Sequence, residues 1–447
     1  MDKNNKKIED NKRMIKEEKK KIKSLKRDIR NIKKNKFKKT KFGKFLKRTT
    51  GFFSDERNTY SFSEVFVITL ISLVLGAFAC VSVLTIISGG RNYLKLSKEL
   101  SKFYDAYDTL VDNYYGDLSK EELVDNAISG MVASVGDVYT NYADSDETNK
   151  FNELVNGVYE GLGCAIQQVD SDTVKVALVY EDSPAEKAGI KEGDLIKKID
   201  EIDSKEGINR LSEYIKKEAS EDVKIVISRD DMEKTITLKR GTVEIPVVST
   251  EVFTKNDKKI GYLKISIFSS VAAKQFDNKL KELEMQGIDA LVIDVRDNNG
   301  GYLTTVTNIA SSLLPKGKNI YQVQKDNKKV ATKDKTSTKR DYPIAIIVNG
   351  NSASASEILA GAIKESYHGY VVGTKTYGKG TVQQVKTLSD GSMIKYTIEN
   401  WLTPDGNWIN EKGIEPTDEV ELSKEYYENP TNENDNQLQK ALEVVSK

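Results

Sequence analysis

At 447 residues and 38% apolar content, the chain exceeds one compact core and has enough apolar mass for a sizeable folded portion beside non-globular segments. The formal net charge of +1 conceals an asymmetry: residues 1–64 carry 23 Lys and Arg against 9 Asp and Glu, which leaves the remainder acidic. Two cysteines, Cys80 in an apolar run and Cys164 in a glycine-rich stretch, exclude a disulfide framework and a cysteine-spaced zinc site, and the one histidine, His368, has no partner at ligand spacing. No metal and no cofactor is expected.

From Val65 to Ser88 there is no charged residue, and this run spans about 36 Å as a helix, enough to cross a bilayer core with some tilt. The spacing predicts one transmembrane helix over 65–88. A cleaved signal peptide would have a shorter apolar region nearer the start. Lys and Arg crowd the preceding flank, so residues 1–64 are expected as a basic cytoplasmic arm and everything after the helix as extracytoplasmic, anchored at the cell membrane. The arm suits anionic lipid, making the bilayer a partner; without interleaved aromatics it gives no reason to expect nucleic acid.

Residues 93–155 show apolar positions three and four apart (Leu110, Val111, Leu123, Ile128, Met131, Val132), which predicts a small helical region before Asp137 and Asn141 break the pattern. Over 156–244 the texture changes to short β-type runs with Gly and Asp punctuation. Three stretches there, YEGLG (159–163), SPAEKAGI (183–190) and EGDLIKKID (192–200), resemble a PDZ domain. The resemblance implies that the turn Gly161, Leu162, Gly163 presents backbone N–H groups to a peptide's terminal carboxylate. Amides gathered in a concave turn bind an anion without a charged side chain. The partners implied are protein substrates with exposed C-terminal tails; a turn merely joining two strands is the plainer alternative.

Over 245–423 a second α/β texture runs with strands at 261–268, 290–296, 344–348 and 370–374 and helices around 271–286, 303–314 and 356–368. Near-continuous apolar strands alternating with helices predict a sheet covered on both faces, and the hairpin pattern around Ser389–Ser392 predicts that it is mixed. Residues 424–447 read as a tail with a terminal helix. That helix, near 436–446, and those of 93–155 are candidates for homodimer contacts.

In VNGNSASASEILAGAIKE (348–365) an apolar strand ends, small polar residues turn, and a helix begins. Helix N-termini favour the negative charge that an attacking oxygen and a tetrahedral oxyanion both develop, although Ser352, Ser354 and Ser356 could each be a plain cap. Lys379 stands between two glycines that allow close backbone approach, and burial beside a helix N-terminus would disfavour its charged form and fit it as a base. A Ser-His-Asp triad is excluded: His368 closes the same helix, about 20 Å along the axis from its start.

Five motifs in order, GYLKISIFS (261–269), LVIDVRDNNGGYL (291–303), NSASASEILAGA (351–362), YGKGTVQQ (377–384) and LTPDGNWINEKGIEP (402–416), resemble the C-terminal processing peptidases, also called tail-specific proteases, over residues 95–422. The resemblance implies an α/β multidomain chain whose mixed-sheet serine protease core has the ClpP/crotonase-like architecture. It implies Ser354 as nucleophile, Lys379 as base, Gln383 as the residue that orients the lysine, and oxyanion donors from the N–H of Ala355 and of Gly300 or Gly301. Two positions depart from the family pattern: Asn299 stands for proline in Asn-Pro-Gly-Gly, and Glu365 for an aspartate in the helix, which leaves Glu365 outside the catalytic set. Two other readings compete. One is a catalytically silent PDZ adaptor; the other, a crotonase-like acyl-transfer enzyme, rests on fold texture alone.

Overall fold

The computed structural model describes residues 19–21, 23–27, 30, 62–87, 98–218, 222–326, 328–337 and 340–447, so the basic arm expected over 1–64 lies almost wholly outside the described residues. The chain divides into two units, Met1–Gly116 and Asp117–Lys447. In the first, helix α1 (Phe62–Ile87) exposes Leu73, Val74, Leu75 and Phe78, and its stretch Val65–Val83 is long and apolar enough to cross a membrane. Helix α2 (Lys98–Asn113) leaves Leu100, Phe103, Tyr104 and Leu110 exposed.

The second unit opens with α3 (Lys120–Ala133), where Ser119 caps the Glu122 N–H, then strand β1 (Asn141–Ala143) and α4 (Ser145–Asn156), capped by Asp144 and stopped by Gly157 at φ 68. The PDZ-like region follows: β2 (Val158–Gly161), β3 (Cys164–Gln168), β4 (Val174–Val179), a single turn α5 (Pro184–Lys187), β5 (Leu195–Ile199), β6 (Ile202–Asp203), α6 (Ile208–Glu213), β7 (Asp222–Arg229), β8 (Met232–Lys239) and β9 (Gly241–Glu244). An antiparallel sheet in the order β3-β4-β5-β7-β8 leaves β3 at an edge, and β9 returns to pair with β2. Alternation does the sorting: Val223, Ile225 and Ile227 of β7 point inward onto Val174, Val176 and Leu211.

The remaining elements are β10 (Val248–Lys255), β11 (Lys258–Ile265), α7 (Ala272–Met285), β12 (Ala290–Asp294), α8 (Leu303–Leu313), β13 (Asn319–Lys325), β14 (Lys328–Lys333), β15 (Ile344–Val348), α9 (Ala355–Gly361), β16 (Tyr370–Gly373), β17 (Thr381–Thr387), β18 (Met393–Leu402), β19 (Asp418–Glu419), α10 (Lys424–Glu428) and α11 (Asn436–Val445). One sheet runs β10-β11-β12-β15-β16-β19, parallel except for the β10–β11 hairpin. That hairpin turns at Asn256 and Asp257, both at positive φ, as a two-residue turn between twisted strands requires. A second sheet, antiparallel, holds β1, β18, β13 and β14 in order with β17 also on β18.

The parallel sheet is buried on both faces, which explains its continuous apolar strands. Leu291, Ile293, Ile344 and Ile346 face α7, α8 and α9, whereas Val292, Ala345 and Ile347 face Leu438, Ala441, Leu442 and Val445 of α11. The apolar face of the tail helix is therefore used inside the chain, which removes it as the dimer contact expected from its spacing. Arg296 fixes it further, bonding Asp294 (2.6 Å) and Asp435 (2.7 Å) in a buried cluster completed by the Tyr262 hydroxyl.

Candidate functional site

The sheet delivers two loops to one place. After β12, Asn298 is fully buried and donates Nδ2–H to the Ile265 carbonyl, while its Oδ1 accepts the Gly300 N–H (2.9 Å) and its carbonyl accepts from the Ala353 N–H and the Ser356 hydroxyl. The loop after β15 is thereby stitched to the loop after β12. Gly300 and Gly301 stand at φ 110 and 143. A Cβ on Gly300 would lie 3.0 Å from the Ser354 Cβ and 3.2 Å from the Ala355 nitrogen, so the glycine turn lies directly against the start of α9.

The three serines separate here. Ser352 donates to the Val295 carbonyl (2.8 Å) and Ser356 to the Asn298 carbonyl (2.7 Å); both are fully buried and hold loops together. Ser354 is half-buried and sits at φ 54, ψ −109, a conformation that costs a residue bearing a Cβ on the order of 1–3 kcal/mol. Strain of this kind persists where the surroundings over-determine it. At Ser354 it coincides with the N-terminus of α9.

Glu357, one turn into α9, is fully buried, a functional residue not singled out from the sequence. Its Oε2 accepts the N–H of Ser354 (2.8 Å) and the N–H of Lys379 (2.9 Å), and its Oε1 accepts the Gly378 N–H (2.7 Å) and the Thr376 hydroxyl (2.6 Å). One carboxylate thus binds both segments, and a single oxygen holds the Ser354 and Lys379 amides within about 6 Å of each other. Burial pushes the Glu357 carboxyl above its usual range, against the four donors that favour its ionised form. From sequence it reads as an ordinary first-turn acid; the signal was its place three residues after the candidate serine.

The glycines flanking Lys379 are there for close approach. A Cβ on Gly378 (φ 91) would meet the backbone nitrogens of Lys412 and Gly413 at 3.0 Å, and one on Gly380 would meet the Asn410 nitrogen at 2.7 Å. The Lys379 carbonyl accepts from the Trp401 indole (2.7 Å), and its half-buried side chain brings Nζ to 4.9 Å from the centre of the Tyr139 ring. Burial, with the nearby charge of Lys395, lowers its pKa to about 8 against the opposing pull of Glu357 and Asp137. A tenth or so of such a group is neutral at pH 7, compared with well under a thousandth for a free lysine.

Gln383 follows a β-bulge between Val382 and Gln383, and its Nε2 donates to Thr381 (2.8 Å) and Thr397 (3.2 Å). Glu365 accepts the Asp405 N–H (2.8 Å), a contact that ties the helical turn after α9 to the loop after β18, and Asn299 is exposed. In the PDZ-like turn, Leu162 is buried in that region's core and its carbonyl accepts the Ala185 N–H (2.8 Å); Gly163 sits at φ 83 and its carbonyl accepts the Tyr180 N–H (2.9 Å). Gly161 closes β2 under the Tyr159 ring. The edge strand β3 starts one residue beyond this turn, and its last residue, Gln168, accepts the Ile208 N–H at the start of α6 (2.9 Å).

Comparison with known proteins agrees with these observations. Residues 259–420 match peptidase family S41, residues 82–148 the N-terminal domain of the activating protease CtpB, and residues 161–239 the PDZ domain. The chain is 38% identical over 326 residues to the carboxy-terminal processing protease CtpB of Bacillus subtilis, covering 72% of this chain and 67% of that protein. It is 34% identical over 369 residues to CtpA of the same organism, covering 80% and 77%. Among solved structures, the photosystem II D1 C-terminal processing protease aligns at 25% identity with a TM-score of 0.44, over 79% of this chain and 98% of that one. With an S41 core, a PDZ domain and relatives of this similarity, the chain belongs to the carboxy-terminal processing proteases, serine peptidases that hydrolyse peptide bonds.

Proposed function

We propose that hydrolysis runs on a Ser354–Lys379 dyad fed with C-terminal tails by the PDZ domain. The observation that carries this reading is the Glu357 carboxylate, which holds the amides of both residues. Neutral Lys379 takes the Ser354 proton as Oγ attacks the scissile carbonyl. The oxyanion is met by the N–H of Ala355, at the N-terminus of α9, and by that of Gly301. Of the two candidate glycines, Gly300 is buried and donates its N–H to Asn298, whereas Gly301 is exposed. When the C–N bond breaks, the Lys379 ammonium protonates the leaving amine. Water then attacks the Ser354 ester with Lys379 again as base, releasing the acid and restoring the serine.

Tail capture is assigned to the Gly161, Leu162, Gly163 turn, with the substrate strand added to the free edge of β3 beside α6. Helix α1 is assigned as a single-pass anchor in the lipid bilayer, its preceding basic flank cytoplasmic and the PDZ and protease domains outside. The exposed apolar face of α2 suits a homodimer contact.

Incubating the full chain, in detergent, with an unstructured protein tests the dyad by mass spectrometry. C-terminal trimming is expected from the parent chain and from neither Ser354→Ala nor Lys379→Ala; trimming by either variant rejects the dyad. The pH sign also follows. The base must be neutral, so kcat/KM is expected to rise as pH passes through about 8, and a profile flat across that range removes Lys379 as the base.

A further inference from the structure

In sequence, Asp137–Asn141 reads only as a break after a helix. In the structure, β1 pairs antiparallel with β18, Asn141 opposite Lys395, which lays the preceding residues against the strand that carries Thr397. There the half-buried Asp137 carboxylate accepts three hydrogen bonds: from the Tyr139 N–H at Oδ1 (3.1 Å), and from the hydroxyls of Thr140 (2.5 Å) and Thr397 (2.6 Å) at Oδ2. The Thr140 hydroxyl accepts the Thr397 N–H in return (3.2 Å).

The direction of these bonds has a chemical consequence. A hydroxyl has one proton, and an ionised carboxylate can only accept. Asp137 takes the Thr397 proton and leaves only lone pairs on that oxygen. The end of the Gln383 amide facing it must then be NH2, at 3.2 Å, with Thr381 as the second acceptor. The Gln383 carbonyl oxygen is left as the unengaged atom. The same segment covers the amine, since the Tyr139 ring lies over Lys379 Nζ.

We propose that Asp137 is a positioning residue for the dyad: through Thr397 it sets the polarity of the Gln383 amide, which keeps the carbonyl oxygen as the end able to accept from the Lys379 amine, and through Tyr139 it holds an aromatic face over that amine. The inference rests on the Ser354–Lys379 reading above. The charged groups that act on Lys379 are Lys395 from β18, Glu357 from α9 and Asp137 from the loop before β1, beside the phenol of Tyr139, which is hydrogen-bonded to Tyr377. Burial raises the Asp137 pKa, but the bonds from Thr140, Thr397 and Tyr139 and the charge of Lys379 outweigh it and hold the carboxyl below its usual range. Asp137 is therefore an anion wherever Lys379 titrates, and it favours the ammonium form. Removing its charge lowers the Lys379 pKa.

The test is peptide hydrolysis by the full chain from about pH 6 to about pH 10. Asp137→Asn is expected to lower kcat roughly 10- to 100-fold with KM unchanged. It is also expected to move the midpoint of the pH rise downward, which a merely structural role would not do. Combined with Gln383→Ala it should cost clearly less than the product of the two single losses, because the two changes share one relay. Additive losses, or an unmoved midpoint, overturn the proposal. Should Asp137→Asn fail to fold, Thr397→Val keeps the carboxylate and removes only the relay; wild-type kcat in that variant also overturns it. Ser354→Ala and Lys379→Ala run alongside. Hydrolysis by either rejects the dyad itself, whereas inactivity of both beside a wild-type-like Asp137→Asn rejects only this inference.

Discussion

Two glycine turns carry the chemistry read from this chain, and their walls differ. At Gly301 a Cβ would stand 2.3 Å from the Phe268 carbonyl oxygen and 2.6 Å from its carbon, main-chain atoms held by the Phe268–Gly301 bridge. At Gly161 a Cβ would meet only the Tyr159 ring, and at Gly163 chiefly the Ser183 side chain. A ring can turn, but a carbonyl inside a bridged pair moves only with its backbone. The core turn is thus fixed by backbone on the side that matters, which suits a donor aimed at one developing charge. The PDZ turn is bounded by a ring that can turn at Gly161 and by the Ser183 Cβ at Gly163, so only its first edge can adjust to tails of varied shape.

The comparison breaks most readily at Gly301. An alanine there combines a backbone collision with φ 143, a conformation that L side chains avoid, and it displaces the N–H assigned to the oxyanion. Gly301→Ala is expected to reduce kcat by at least about 100-fold and to lower Tm. An active Gly301→Ala would mean that the wall yields and the contrast is false. Next is Glu357→Gln, which keeps the shape but turns an NH2 toward N–H donors that need an acceptor. Thermal unfolding should show a loss of about 3 kcal/mol, and peptide hydrolysis a fall of roughly 100-fold. Equal activity would separate the Ser354 and Lys379 segments energetically.

How much of this was legible in the sequence follows from the reach of each signal. The strands 344–348 and 370–374 are near-continuous apolar runs and the helices near 271–286 and 303–314 are periodic, and the structure has them within a few residues. The glycines around Lys379 announced a close approach, and the backbone of 410–413 supplies it. What was hidden is partnership across sequence. β13 and β14 pair through lysine-rich, half-exposed faces without clear alternation, so no hairpin was predicted over 319–333. Glu357 looks like any first-turn carboxylate until Gly378 and Lys379 are folded onto it, and Asp137 looks like a helix breaker until β1 joins β18. The bulge between Val382 and Gln383 was hidden too, since a single shifted residue leaves no mark on the strand's own pattern.

In the PDZ turn, smaller and more selective effects are expected. Gly163→Ala places a Cβ 2.2 Å from the Ser183 Cβ, which is anchored at the cap of α5, and does so at φ 83. The left-handed conformation alone costs about 1–2 kcal/mol. Binding of a C-terminal peptide, followed by calorimetry, should fall below detection, while hydrolysis of short peptides by the same variant changes little. Loss of both together would show that the PDZ turn and the core turn act as one element.

The mildest change is at Gly161, and there the contrast between the two turns is sharpest. Its nearest obstacle is a Tyr159 ring atom at 2.4 Å, its φ lies outside the left-handed region, and β2 can hold an alanine as readily as a glycine. The Tyr159 ring can rotate away from a methyl group. Main-chain pairing of β2 with β9 is unaffected, so Gly161→Ala should leave stability within about 1 kcal/mol of the parent. Moving the ring changes the edge of the turn where a carboxylate would enter, so peptide affinity is expected to drop a few-fold rather than vanish. An affinity loss as deep as that of Gly163→Ala would mean that Tyr159 is itself fixed, making the PDZ turn as rigid as the core turn it is contrasted with.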